Sequence, residues 1–165
     1  MIFSPLICYT IKNKDKFMSK NQNYPMNSPK NVLSYMNFFN YQEPEKLFLI
    51  TIDEQLRLID CHKLKSGRNK IDLIHPRDVI LPALSDHAKG IILVHNHPSG
   101  KSLPSPNDHI FTKYIKRICE LLNIALVDHL ILGKNEVYSY KEAGTEIFPC
   151  AHYSAKHVLC KSTSN

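Results

Sequence analysis

The run Ile91-Ile92-Leu93-Val94 lies between Gly90 and a loop dense in Pro, Ser and Gly over residues 96–106. Four consecutive apolar residues leave a strand no polar face to turn to water, so it must be covered on both sides. The rest of the chain therefore has to supply flanking strands and helices with apolar stripes. Ser28-Pro29 gives an N-cap with Pro at the first helical position. Val32, Leu33, Met36 and Phe39 follow at helical spacing, predicting a helix to about Asn40 that Gln42-Glu43-Pro44 ends. Leu47–Ile52 reads as a buried strand, Asp53-Glu54-Gln55 as a turn, and residues 56–64 as the returning strand, with Gly67 near its end. His75-Pro76-Arg77 opens a helix with Val79, Ile80, Ala83, Leu84 and Ala88 on one face, and Gly90 is expected to stop it. Ser105-Pro106 starts another, whose expected apolar face is Ile110, Phe111, Tyr114, Ile115, Ile118, Leu121 and Leu122. Residues 125–132 and 137–140 read as strands around a turn at Gly133. The order α-β-β-α-β-α-β-β predicts an α/β fold, a mixed sheet flanked by helices.

Composition agrees with one globular domain. Apolar residues make up 43% and charged residues 22% of 165, enough to bury a core without disulfides. No apolar run approaches the ~20 residues of a membrane span. The apolar start has no leading Lys or Arg and is broken by Pro5, so no secretory signal is expected. Cys8, Cys61, Cys119, Cys150 and Cys160 are odd in number and form no C-x-x-C pair, which fits reduced thiols in a cytoplasm.

The net charge of +6 is unevenly spread. Residues 1–30 hold five Lys and one Asp (5 − 1 = +4), residues 151–165 hold two Lys (+2), and residues 31–150 hold 14 basic and 14 acidic residues (zero). A folded nucleic-acid reader carries its basic face on the domain itself, so nucleic acid is not an expected partner of this core. The expected organisation is a mobile, polar, basic arm over 1–27, a folded domain over 28–148 and a tail over 149–165.

The chemistry concentrates in Val94-His95-Asn96-His97-Pro98-Ser99-Gly100, followed by Ser105 and Asp108. His95 and His97 point to one face if the strand stays extended that far. They stand at the C-terminal edge of a central strand, where α/β sites usually lie. Asp108 falls in the first turn of the next helix, where the helix dipole favours the ionised carboxylate that a metal needs. Two His and one Asp, with water as a fourth ligand, are the donor pattern of a catalytic zinc site. Ser105-Pro106-Asn107-Asp108 also fits a capping box, in which the same side chains satisfy helix-end donors.

His95-x-His97, ten residues, then Asp108 with Ser105 three before it resembles the signature of the JAMM (MPN+) zinc metalloproteases: a Glu, then H-x-H, then S-x-x-D. Three segments are similar to the bacterial RadC-like branch: residues 75–79 (His-Pro-Arg-Asp-Val), 92–100, and 127–133 (Val-Asp-His-Leu-Ile-Leu-Gly). The likeness spans roughly residues 30–146. It implies a JAB1/MPN, cytidine-deaminase-like fold with one zinc per chain, held by His95, His97 and Asp108. In the family the acid/base Glu lies eight residues before the Asp that ends the first strand. Counting back from Asp53 gives Glu45, with Glu43 a rival for the role. Ser105 would steady the oxyanion.

The resemblance thus implies hydrolysis of a peptide or isopeptide bond by zinc-activated water, with a protein or peptide as substrate. A second copy of the chain, in a homodimer, is a further candidate partner, on which the sequence itself is silent. A metal-dependent nuclease or phosphodiesterase and a non-catalytic MPN binding module are the alternatives. A two-metal phosphoryl site wants more carboxylates than Asp108 alone, and scaffold MPN domains usually lack the ligands present here. The missing P-C-x-x-C excludes a cytidine deaminase. Longer RadC relatives carry a helix-hairpin-helix segment ahead of the domain. Residues 1–28 are polar and hold no G-x-G hairpin, which weakens a DNA-linked role, although a nuclease linked to DNA repair stays an alternative. Asp128 and His129 have two readings, contacts to the site or structural hydrogen-bonding residues. Arg77 is expected to cap or brace its helix. His62, His87, His109, His152 and His157 show no ligand spacing.

Overall fold

Alternate residues of the central strand β3 (Gly90–Asn96) face opposite layers. The structure, a computed structural model, describes residues 23–36, 44–64 and 74–148. Ile91 and Leu93 pack with Leu47 and Leu49 of β1 (Leu47–Ile52), under helices α2 (Pro76–Ser85) and α3 (Pro106–Leu121). Ile92 and Val94 pack with Phe48, Ile50 and Ile52 on the other side, covered by Met26, and by Val32 and Met36 of the short helix α1 (Pro29–Tyr35) and its cap. The run that demanded two covered faces has them.

The remaining strands are β2 (Leu58–Leu64), β4 (Ala125–Leu132) and β5 (Val137–Ser139). The sheet order is β2-β1-β3-β4-β5. β1 runs antiparallel to both β2 and β3, β3 and β4 are parallel with α3 as their crossover, and β5 returns antiparallel to β4. This is the mixed sheet and the element order expected, and it is consistent with a JAB/MPN fold.

Several boundaries differ from the expectation. α1 ends at Tyr35 with Met36 as C-cap, short of Asn40; residues 37–43, including Glu43, lie outside the described residues. β2 begins at Leu58, because Leu56 takes a left-handed φ of 58° in the turn. α2 stops at Ser85 and His87 takes the left-handed conformation (φ 52°), so Gly90 is not the helix stop. Gly90 opens β3 instead, where a Cβ would come within 3.1 Å of Ile52 and Val127 side-chain carbons. Met26, within the segment expected as an arm, is 1% exposed and its N–H donates to the Leu56 carbonyl. Residues 1–22 and 149–165, with Cys8, Cys150 and Cys160, lie outside the described residues.

The helix faces are narrower than expected. Leu84, Ile110, Tyr114, Leu121 and Leu122 are exposed. The buried positions of α3 are Asp108, Thr112, Ile115 and Cys119, so the stripe facing the sheet begins with two polar residues. The first of these, Asp108, lies beside His95 and His97. Among the described residues, no helix is long and apolar enough to cross a membrane, and Cys61 and Cys119 are free, with burial pushing both thiols up to about 12.

Candidate metal centre

β3 carries His95 inside the strand, on the same face as Ile91 and Leu93, with no exposed surface. His97 is the first residue beyond the strand, tied to β4 by its N–H donating to the Leu132 carbonyl at 2.9 Å. The register pairs Leu47 with His95. Glu45, two residues upstream, is thereby brought alongside His97, and the Lys46 N–H donates to Asn96 Oδ1 at 2.8 Å to hold that stretch. Asp108 arrives from the opposite direction, in the first turn of α3.

The four side chains meet. Glu45, His95, His97 and Asp108 each offer a ligand atom, all within 4.8 Å of one another. His95 Nε2 and His97 Nε2 are 3.1 Å apart. Asp108 Oδ1 is 3.3 Å from His95 Nε2, and Oδ2 is 3.3 Å from His97 Nε2. A tetrahedral zinc with bonds of ~2.0–2.1 Å has ligand–ligand edges of about 3.3 Å, so the donor set has the right size. Its chemistry also fits. His97 Nδ1 donates to the Lys101 carbonyl at 2.9 Å, which leaves the lone pair of Nε2 for the cluster. Bare nitrogens and carboxylate oxygens this close repel unless a cation lies among them.

The charges follow the geometry. Burial pushes the His95 imidazole below its ordinary value, outweighing the pull of Asp108. The hydrogen bond with Asp108 raises His97 against its partial burial, helped by the Lys101 carbonyl and by the Asp108 and Glu45 charges. Burial alone would raise Asp108, but hydrogen-bonding contacts with the two imidazoles and with Ser105 hold it far below the usual carboxylate range. Asp108 stays ionised, the form that coordinates.

Ser105 fulfils the capping reading in full. Its hydroxyl accepts from Asp108 N at 3.2 Å and donates to Asp108 Oδ2 at 2.6 Å, while its own N–H donates to the same oxygen at 2.7 Å. Capping and ligation are not exclusive: the box aims the carboxylate at the two histidines. The loop between His97 and Ser105 is held by the β4–β5 turn. Lys134 N donates to the Gly100 carbonyl at 2.8 Å and Ser102 N to Glu136 Oε1 at 2.7 Å. Gly133 has to be glycine here, because a Cβ would stand 2.5 Å from the Gly100 carbonyl oxygen.

The two readings of Asp128 and His129 divide between them. Asp128 accepts from Ser139 Oγ at 2.6 Å, Lys141 N at 3.0 Å and His129 N at 2.7 Å, which ties β5 to β4. His129 instead touches the centre, with Nε2 2.8 Å from His95 Nδ1 and Nδ1 2.7 Å from Thr112 Oγ1. Burial, then the His95 charge, pushes His129 well below the ordinary imidazole value. Thr112 has no warning in the sequence beyond its place one turn after Asp108. Arg77 lies in the first turn of α2, where His75 rather than Arg77 makes the capping box with Asp78.

His62, which shows no ligand spacing in the sequence, meets an acidic partner in the fold. Its Nε2 lies 2.6 Å from Asp86 Oδ2, and Asp60, His62 and Asp86 form a second group with ligand atoms within 4.8 Å. Asp60 is exposed while His62 and Asp86 are partly buried, and Thr51 Oγ1 also donates to Asp86 Oδ2 at 2.6 Å. The group joins the C-terminal end of α2 to the edge strand.

Residues 26–145, most of the chain, match the RadC-like JAB domain. The chain belongs to this family. Its similar proteins include UPF0758 proteins of Thermotoga maritima, 38% identical over 119 residues (72% of this chain, 54% of the relative), and of Haemophilus influenzae strain PittEE, 38% over 118 residues (71% and 53%). A UPF0758 protein of Janthinobacterium sp. strain Marseille is 36% identical over 120 residues (72% and 54%). The chain spans about half the length of the curated relatives it matches. RadC-like JAB domains fall in a superfamily of metal-dependent hydrolases, and Glu45, His95, His97 and Asp108 form a group that could hold a metal ion.

Proposed function

We propose that this chain is a zinc-dependent hydrolase that cleaves a peptide or isopeptide amide. The observation that carries the reading is the convergence of Glu45, His95, His97 and Asp108 within 4.8 Å, with the His97 ring N–H turned outward onto a carbonyl. His95, His97 and Asp108 would hold one cation per chain, since two nitrogens and a carboxylate are a zinc donor set. A zinc ion there supplies a Lewis acid that polarises a carbonyl and acidifies a water.

The chain's own groups do the rest. Glu45 stands beside the cluster as the proton acceptor for an attacking water, and it returns that proton to the leaving amine. Ser105 turns its hydroxyl proton from Asp108 Oδ2 to the developing oxyanion. The two imidazoles, and then the Ser105 hydroxyl, hold the Asp108 carboxylate ionised. His97 is the more accessible of the two imidazoles, at 15% against 0%, and marks the side from which substrate enters. The free thiols of Cys61 and Cys119 support a cytoplasmic setting.

The test is to offer the full chain, loaded with zinc, a panel of peptides, isopeptide-linked conjugates and DNA. The expected result is amide cleavage that chelation abolishes, zinc restores and Glu45→Gln lacks. Phosphodiester cleavage with the amides intact would overturn the reading in favour of a nuclease.

A further inference from the structure

We infer that Thr112 and His129 form a proton-ordered relay that fixes His95 as its Nδ1–H tautomer and so presents a bare Nε2 to the cluster. The inference rests on the proposed function only for what that Nε2 binds. The order of the protons follows from the contacts themselves.

Thr112 Oγ1 lies 2.5 Å from the Asp108 carbonyl oxygen and 2.7 Å from His129 Nδ1. A carbonyl has no proton to give and a hydroxyl has one. Two oxygens this close repel unless that proton lies between them, so the Thr112 O–H is committed to Asp108. His129 Nδ1 must then carry the hydrogen and donate to Thr112. The hydroxyl thus gives its one proton to Asp108 and accepts one from His129.

A neutral ring with its hydrogen on Nδ1 has a bare Nε2. That atom of His129 is 2.8 Å from His95 Nδ1, which must therefore donate. The hydrogen of His95 is thereby placed on Nδ1, away from Asp108 and His97. The relay is shielded: Thr112, His95, His129 and Tyr140 have no exposed surface, so water does not exchange into it. The His129 ring is also stacked on Tyr140, with planes 8° apart and centroids at 5.3 Å, which resists a ring flip. Asp108 thus serves the centre twice, with its carboxylate at the cluster and its carbonyl at the head of the relay. Thr112 and His129 touch no reacting atom; they are positioning residues, and their partners outside the ligand set are of the kind that tune metal affinity.

Two measurements on the full chain test this. Nitrogen-15 correlation spectra of the histidine rings, recorded without metal, should give the Nδ1–H pattern for both His95 and His129. An Nε2–H pattern at His95 overturns the relay. Zinc affinity, read by competition with a chromophoric chelator, should fall ~10–100-fold in Thr112→Val and recover in Thr112→Ser, which keeps the hydroxyl. In Thr112→Val the His129 hydrogen loses its acceptor, moves to Nε2, and drives the His95 hydrogen onto the face that binds zinc. A purely structural Thr112 would lower the melting temperature of the metal-free protein without moving the His95 spectrum or the affinity, and that result also overturns the relay. If Thr112→Val does not fold, His129→Gln, which keeps an acceptor for His95, should bind zinc more tightly than His129→Leu; equal affinity overturns the inference. A wild-type chain that binds no zinc yet shows the Nδ1–H pattern at His95 would sink the proposed function and leave the relay intact.

Discussion

Gly133→Ala puts a methyl group outside the proposed ligand set and tests whether the β4–β5 turn positions the metal centre. The added Cβ would stand 2.5 Å from the Gly100 carbonyl oxygen, 2.9 Å from Ser102 N and 3.1 Å from Glu136 Cγ. The first two are backbone atoms, so no side chain can swing aside to relieve the clash. An ordinary carbon–oxygen contact is about 3.3–3.6 Å, so the loop must retreat by roughly 1 Å. The displaced atoms include Gly100 and Ser102, on either side of Lys101, whose carbonyl orients His97 Nδ1 at 2.9 Å. The Lys134–Gly100 and Ser102–Glu136 hydrogen bonds stretch with it. Two weakened hydrogen bonds cost about 1–3 kcal/mol in fold stability. A ~1 Å misplacement at a catalytic constellation costs on the order of 10²-fold in rate. Thermal melting of the metal-free protein, zinc competition and turnover on a cleaved amide give the three readouts. The expected outcome is a modest loss of stability with a large loss of zinc affinity and activity. A variant destabilised as calculated but with wild-type zinc affinity would refute the argument that this turn positions His97.

Glu45→Gln keeps the shape and removes the proton acceptor. It should retain zinc, by elemental analysis, and lose ~10²–10⁴-fold in kcat; loss of zinc would make Glu45 a ligand. Ser105→Ala should lower stability by ~1 kcal/mol as a lost N-cap, and kcat by ~10²–10³-fold if the hydroxyl also serves the oxyanion; melting and kinetics on one sample separate the two. Zinc affinity should rise with pH until the solution passes the His97 value, because coordination displaces a proton. Asp108 holds that value above 6.5, so titration calorimetry should find the affinity still climbing above pH 6.5.

What the sequence made legible was local. Ile91–Val94 demanded a doubly covered strand, and the His75-Pro76 and Ser105-Pro106 starts announced α2 and α3 at their first residues. Helix ends were harder. Gly90 looked like a stop signal, but its lack of a side chain serves close packing against Ile52 and Val127, and His87 took the left-handed turn instead. The ligand trio lies within fourteen residues of chain, so spacing could suggest it. Glu45 had no local mark, since its place depends on the register that pairs Leu47 with His95. The contacts between His95 and His129 and between His62 and Asp86 span 34 and 24 residues. Pairing at that distance is set by sheet order and helix packing, which no short pattern encodes. The apolar residues of α3 were overcounted for a related reason: Asp108 and Thr112 occupy buried positions that the pattern reserved for apolar side chains.

Anomalous diffraction at the zinc edge, from crystals of the full chain grown with stoichiometric zinc, tests the central claim most directly. The account predicts one peak per chain, bonded to His95 Nε2, His97 Nε2 and an Asp108 carboxylate oxygen, with Glu45 outside bonding distance. A peak only at Asp60, His62 and Asp86, or none among His95, His97 and Asp108, would contradict it.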